Sequence, residues 1–335
     1  MKRVALVIGL AIVAACGSSP PPGPGPTAKP PQIACPADLT VASVTTPSQA
    51  VTYPSPTVTD GAPPVNTTCS PASGATFPLG TTTVGCAAND AMSRQATCSF
   101  NVTLKGMSIG VKKFDAIGDS FTEGQNGELG VVDLPNAYPT KLQLALEMTY
   151  PNQGIVVLNH GADASGKSIT VVDENVKKFV RLDQPDAVLL EGGYNDLLNG
   201  CGNGSPTTTL CKQAIQQVAG GYRDCIRHAR EASPTVQFVF AATLTPPGPH
   251  TPPVNDRRIS DAAIRQANDL IRQTVAAERA VLVDVYPLFT GHEAEYVDTD
   301  GLHLRPAGYQ VMADAFFAAI QKTVPQTPLL RFGVR

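Results

Sequence analysis

Beyond Gly106 the chain alternates short apolar runs with longer amphipathic stretches, and no other feature of the sequence limits the possible folds so tightly. The apolar runs are Val111 to Ile117, Gly154 to Asn159, Ala187 to Leu190, Val236 to Ala242 and Val281 to Val285. Between the third and fourth, Gln213 to Arg230 places Ile215, Val218, Tyr222, Cys225 and Ala229 at helical spacing. Between the fourth and fifth, Ser260 to Glu278 does the same with Ile264, Ala267, Ile271 and Val275. Repeated strand and helix signals of this kind predict βαβ units around a mostly parallel sheet of five strands. The helical stripes are core-facing and imply no cofactor. In such sheets chemistry belongs to the loops at the carboxyl ends of the strands.

The first third of the chain has a different character. Lys2 and Arg3 precede a twelve-residue apolar run, Val4 to Ala15, which has the charged start and short apolar body of an export signal and is too short to span a bilayer. It ends in Val13-Ala14-Ala15-Cys16, which resembles the lipobox of bacterial lipoproteins. The resemblance implies removal of residues 1–15, acylation of Cys16 and attachment to the membrane of the cell envelope. Seven prolines between Ser18 and Pro31 favour an extended stalk without a core, so residues 16–32 form a linker.

From Ile33 to Gly106 short runs rich in Thr and Val are separated by Pro, Gly, Asn and Asp, which predicts an all-β module. In Ala96 to Lys105, Cys98, Phe100, Val102 and Leu104 alternate with polar residues, so one face is buried. The segment resembles the HYR (hyalin repeat) module, through Cys35-Pro36, Leu39-Thr40-Val41, Cys69-Ser70-Pro71, Gly74, Phe77-Pro78, Gly80 and Ala96-Thr97-Cys98-Ser99-Phe100. That likeness implies a small immunoglobulin-like sandwich serving as spacer or adhesion module. Its four cysteines, in an exported chain, predict two disulfides with three possible connectivities. Cys86 with Cys98 across a hairpin, and Cys35 with Cys69, is the preferred set.

The strand ends of the α/β part, residues 107–335, carry the polar residues of interest. The first strand runs into Gly118-Asp119-Ser120, the second ends Asn159-His160-Gly161, the third leads to Gly193-Tyr194-Asn195-Asp196, and Asp300-Gly301-Leu302-His303 precedes a helix opened by Pro306. Each alone reads as a turn or cap. Together they supply what acyl transfer needs: a nucleophile, a base, a carboxylate to orient the base, and donors for an oxyanion. The residues from Phe114 to Gly124, with the three later motifs, resemble the SGNH hydrolases, or GDSL esterase/lipase family, over about Lys113 to Thr323. The resemblance implies a three-layer α/β/α fold. It also implies Ser120 as nucleophile, His303 as base, Asp300 as its partner, and an oxyanion held by the amides of Ser120 and Gly161 and the Asn195 side chain. No metal or cofactor is needed.

Several rival readings are open to test. Gly161 to Ser168 fits the phosphate-binding pattern G-x-x-x-x-G-K-S, with Asp284 as a possible Mg²⁺ carboxylate, but an exported protein meets no ATP. Charged residues make 16% of the chain, 25 basic against 28 acidic, which excludes the electrostatic footprint of a nucleic-acid binder. His160 adjoins the oxyanion glycine, and His250 sits in a Pro-rich loop, Thr245 to Asn255, suited to border a substrate. On one helix, Cys211 and Cys225 stand roughly 21 Å apart, so Cys201 pairs with Cys211 and Cys225 is a buried thiol. The expected function is an exported, lipid-anchored serine esterase acting on short-chain acyl or acetyl esters of lipids or carbohydrates. The alternative is a surface adhesion or glycan-binding protein with an inactive hydrolase domain.

Overall fold

The computed structural model describes residues 28–44, 46–127, 131–161, 168–249 and 257–328. Cys16 with the expected export signal, the central residues 162–167 of the phosphate-loop pattern, and His250 lie outside the described residues. No described helix is long and apolar enough to cross a membrane.

Residues 32–109 are all-β, as an immunoglobulin-like module requires. The strands are β1 (Gln32–Ala34), β2 (Leu39–Val44), β3 (Ser48–Ala50), β4 (Thr57–Thr59), β5 (Asn66–Ser70), β6 (Thr76–Pro78), β7 (Gly80–Asn89) and β8 (Gln95–Ile109). The alternation expected in β8 is present: Phe100, Val102 and Leu104 are buried between more exposed neighbours. Contacts divide the chain into two compact units interleaved in sequence. One takes the described part of Met1–Ala37 with Thr52–Ala75 and Thr83–Asn101, the other Asp38–Val51, Thr76–Thr82 and the described part of Val102–Arg335.

In the first unit β1 pairs antiparallel with β4, and β5 with β7. Tyr53 and Phe100 meet edge to face at 5.0 Å in its core. Its disulfides are Cys35–Cys98 and Cys69–Cys86, which corrects the pairing preferred from sequence. The reason is strand order. β7 lies between β8 and β5, so Cys86 has a neighbour on each side, and a hairpin argument counts only one of them. Cys69 is its register partner across β5 and β7, which leaves Cys98 to Cys35.

The second unit contains the α/β part. Its elements are β9 (Lys113–Gly118), α1 (Ser120–Glu123), α2 (Tyr138–Thr149), β10 (Val156–Gly161), α3 (Ile169–Asp183), β11 (Ala187–Leu190), α4 (Tyr194–Gly200) and α5 (Thr209–Ala232). They continue as β12 (Phe238–Ala242), α6 (Asp261–Ala277), β13 (Val281–Val283), α7 (Tyr286–Phe289), α8 (Glu293–Tyr296), α9 (Pro306–Thr323) and β14 (Gln326–Pro328). The five expected strands form one all-parallel sheet in the order β10-β9-β11-β12-β13. Helices α3, α5 and α6 pack together as one layer, and α2 with α9 as the other. The middle strands β9 and β11 are buried along nearly their whole length, which is why they read as continuous apolar runs. Cys211 and Cys225 both lie on α5; Cys201 bridges to Cys211, and Cys225 is a buried free thiol, as the helical spacing required. β14 returns to pair antiparallel with the end of β8.

Candidate active site

The chain enters the sheet at β9, goes to β10 on one side and to β11 on the other, so the direction of winding reverses at β9. That reversal opens a crevice at the carboxyl ends of these strands. Register makes the ends level: Gly161 pairs with Gly118, and Leu190 with Ile117. The sequence runs that follow β9, β10 and β11 are therefore delivered to one edge.

Ser120 is the first residue of α1, with Asp119 as its N-cap, Oδ1 accepting from the Phe121 amide at 3.2 Å. The Ser120 hydroxyl meets His303 Nε2 at 3.0 Å although 183 residues separate them. His303 Nδ1 is 2.6 Å from Asp300 Oδ2, and Asp300 Oδ1 accepts from the amides of Leu302 and His303, each at 3.0 Å. With Nδ1 donating to the carboxylate, Nε2 is left as the acceptor facing the hydroxyl. Exposure is only 6% for Ser120 and 2% for both Asp300 and His303, so water screens these bonds little. Burial alone would raise the Asp300 carboxyl. The hydrogen bond and charge of His303, with the two amides, outweigh it and hold the group below its ordinary value.

Gly161 and Asn195 reach the same edge, though neither is fixed as firmly. The Gly161 amide donates to its own strand's Asn159 Oδ1 at 2.9 Å. A Cβ on Gly161 would stand 2.0 Å from the Glu123 amide nitrogen, so the end of β10 abuts the helix that carries Ser120, and only glycine fits. Asn195 is the half-buried second residue of α4. His160 turns elsewhere: its ring stacks on Phe179 at 3.9 Å and pairs with Asp183 at 2.8 Å. His228 pairs with Asp173 at 2.6 Å, and His292 faces Glu295. Asp284 is gripped by Arg272 through two bonds of 3.0 Å and accepts from Thr243, an ion pair in place of the suggested Mg²⁺ role. The described start of the Pro-rich loop lies against the Asp300 turn, the Gly248 amide donating to the Gly301 carbonyl at 3.0 Å.

Supporting residues that the motifs did not reveal lie directly beneath the nucleophile. Glu191, fully buried after β11, accepts from Thr122 Oγ1 at 2.8 Å, and Thr122 also meets the Tyr138 hydroxyl at 3.3 Å. Burial, then the charge of Asp119, pushes Glu191 well above the usual carboxylate range, and its hydrogen bond to the Asp119 carboxyl acts the same way. Burial and the neighbouring Asp119 carboxyl thus favour the neutral form of Glu191, whose contact with Thr122 joins the end of β11 to α1. Asp196 accepts from the Ile169 amide at 2.7 Å and from Gln217 at 2.9 Å, joining the starts of α3 and α4. Gly127 packs so closely on Asp300 that a Cβ would fall 2.6 Å from the carboxylate. One signal was available in the sequence: Glu191 is an acid between an apolar strand and Gly192-Gly193, where an apolar residue is expected.

A buried serine, imidazole and carboxylate in series, at the carboxyl edge of a parallel sheet, can accept an acyl group on the serine oxygen and pass it to water. Residues 116–311, more than half of the 335-residue chain, match the GDSL-like Lipase/Acylhydrolase family, and the chain belongs to it. It is a carboxylic ester hydrolase. Residues 27–104 match the HYR domain. The spore germination lipase LipC of Bacillus licheniformis is 23% identical over 212 residues, covering 62% of this chain and 95% of that protein. Among solved structures, a gut microbial diltiazem-metabolizing enzyme aligns with a TM-score of 0.50 at 16% identity, over 63% of this chain and 47% of its own. A lipase/acylhydrolase from Enterococcus faecalis aligns at 0.49 and 18% identity, over 64% of this chain and 97% of its own.

Proposed function

We propose that Ser120, His303 and Asp300 are the catalytic residues of a serine esterase that works through an acyl-Ser120 intermediate. The continuous relay from Ser120 Oγ to His303 Nε2 at 3.0 Å and from His303 Nδ1 to Asp300 Oδ2 at 2.6 Å carries the proposal. Ser120 Oγ attacks the ester carbonyl while His303 takes its proton; the C–O bond to the alcohol then breaks and His303 returns the proton to the leaving oxygen. Water repeats the sequence on the acyl-enzyme, its proton passing to His303 and back to Ser120 as the carboxylic acid departs. The Ser120 and Gly161 amides and the Asn195 carboxamide are proposed to hold the oxyanion. For Gly161 this requires the amide to exchange its present bond to Asn159 for one to substrate.

The substrates proposed are short-chain acyl or acetyl esters of lipids or carbohydrates, consistent with a family of lipases and acylhydrolases. Export and anchoring through an acylated Cys16 are proposed on the residue pattern of the first sixteen positions. The division into residues 1–15, 16–32, 33–106 and 107–335 is proposed with it, supported by the separate matches at 27–104 and 116–311. The purified protein is expected to hydrolyse p-nitrophenyl acetate or butyrate and to be labelled by a fluorophosphonate at Ser120. Unchanged turnover or labelling in Ser120→Ala would refute the nucleophile, whereas absence of both from the native protein would favour the adhesion reading. For the anchor, cells fed radiolabelled palmitate are expected to label the native chain but not Cys16→Ala.

A further inference from the structure

On the side of the sheet covered by α3 there is a second polar cluster that the hydrolytic relay does not use. Asp115 stands in the middle of β9, in a strand otherwise built of Phe114, Ala116 and Ile117, and is completely buried. Neither of its carboxyl oxygens has a hydrogen-bond partner among the described residues. Facing it are His160 of β10 and Asp183, the last residue of α3, joined to each other at 2.8 Å. One donor atom from each of Asp115, His160 and Asp183 lies within 4.8 Å of the other two. The His160 and Asp183 side chains are 17% and 18% exposed, so the cluster has a floor in the core and a mouth at the surface.

A buried carboxylate without donors is costly. Burial, then the charge of Asp183, pushes Asp115 up to about 7, so a proton is one remedy. A dication satisfies more of the cluster, because it binds both carboxylates and the imidazole together. One imidazole nitrogen and two carboxylate oxygens form a donor set suited to zinc, with bonds of about 2.0–2.2 Å and room for water in an open position. An ion bound there would replace the His160–Asp183 hydrogen bond, with the three donor atoms settling around it. Two carboxylates face Lys113, whose ammonium donates to the Asp183 carbonyl and lies 3.8 Å from its Oδ1, and Lys178, which also acts on His160.

We propose that Asp115, His160 and Asp183 form a site for a divalent cation of the zinc class that clamps β9, β10 and the end of α3. The ion has a structural role there and takes no part in the ester chemistry. Because the ligands come from three elements far apart in sequence, its binding free energy adds to folding.

The test uses the full-length protein, stripped with a chelator and titrated with zinc chloride by calorimetry and by thermal melting at pH 7.5. The expected result is one equivalent more zinc than Asp115→Leu or His160→Phe takes up, with a rise in melting temperature absent from both variants. The Phe variant keeps the stack on Phe179. Loss of one ligand is expected to weaken zinc at least ~10²-fold, beyond the 10- to 100-fold typical of second-shell changes. Asp115→Leu also removes the unpartnered buried acid, so its metal-free form is expected to melt at or above the metal-free native protein, which separates loss of binding from loss of folding. Absence of zinc uptake, or uptake and stabilisation identical in the native chain and both variants, would overturn the site. Neither outcome bears on Ser120, because ester turnover and fluorophosphonate labelling report on the relay independently.

Discussion

The β-rich region and the α/β part of this chain are held together in different ways. The first has few large buried side chains, and it is tied by Cys35–Cys98 and Cys69–Cys86. Its turn at Asp90 is knotted by Arg94 and by the amides of Ala62, Met92 and Arg94. The second has a continuous apolar core from Ile109 to Val324 and one further disulfide, Cys201–Cys211. A small β module cannot bury enough surface and needs covalent ties. A large core can instead enclose polar groups, and that is where Asp119, Glu191, Asp300 and His303 sit. Cross-links thus tie one region, while the other has a core large enough to hold a buried site.

Perturbations should separate the two regions. The largest effect is expected from Ser120→Ala, a loss in turnover on the order of 10⁴ or more with thermal stability little changed. Next comes Asn195→Ala, expected to lower kcat by about 10²–10³ if its carboxamide holds the oxyanion; steady-state kinetics on a p-nitrophenyl ester measures both.

The β region is expected to respond in the opposite sense. Replacing Cys69 and Cys86 by Ala opens a loop of sequence separation 17, which costs about 3 kcal/mol of stability on the loop-entropy model. Hydrogen exchange should loosen in β5 and β7 while ester turnover is unchanged; a parallel loss of turnover would break the contrast drawn here. Smaller again is the difference between Glu191→Gln and Glu191→Ala. Burial favours the neutral form of Glu191, which Gln mimics, so that variant should retain most activity, whereas Ala leaves Thr122 short of a partner and costs about 1–3 kcal/mol. An infrared band of a protonated carboxyl, present in the native protein and missing from Glu191→Gln, reads the proton directly.

The smallest effect concerns acid. Burial would raise Asp90, but Arg94 and the three amides outweigh it and lower the group from the usual 3.8 to about 2. As pH falls, the unfolded chain takes up the proton first. The stability from Asp90 is therefore complete above pH 3.8 and is lost on descent toward pH 2. Exchange measured across that window should show the β region weakening, and Asp90→Asn should flatten the dependence.

Much of this was readable from local pattern. Continuous apolar runs located the strands of the parallel sheet to within about two residues, and the distance between Cys211 and Cys225 on one helix left Cys201 to pair with Cys211. Ser120, Asp300 and His303 were legible because each sits in a short motif beside a strand end or helix start. The β-region disulfides were misread because Cys86 has two lateral neighbours, and spacing along the chain reveals only the one across the hairpin.

The sequence by itself determined which segments become strands and helices and which polar residues stand at their ends, because those properties depend on neighbours a few positions away. Only the tertiary structure decided that Cys86 joins Cys69, that Glu191 is buried against Thr122 beside Asp119, and that Asp115 lies unsatisfied opposite His160 and Asp183. Those outcomes depend on strand order, on register and on burial, which arise when distant segments pack together.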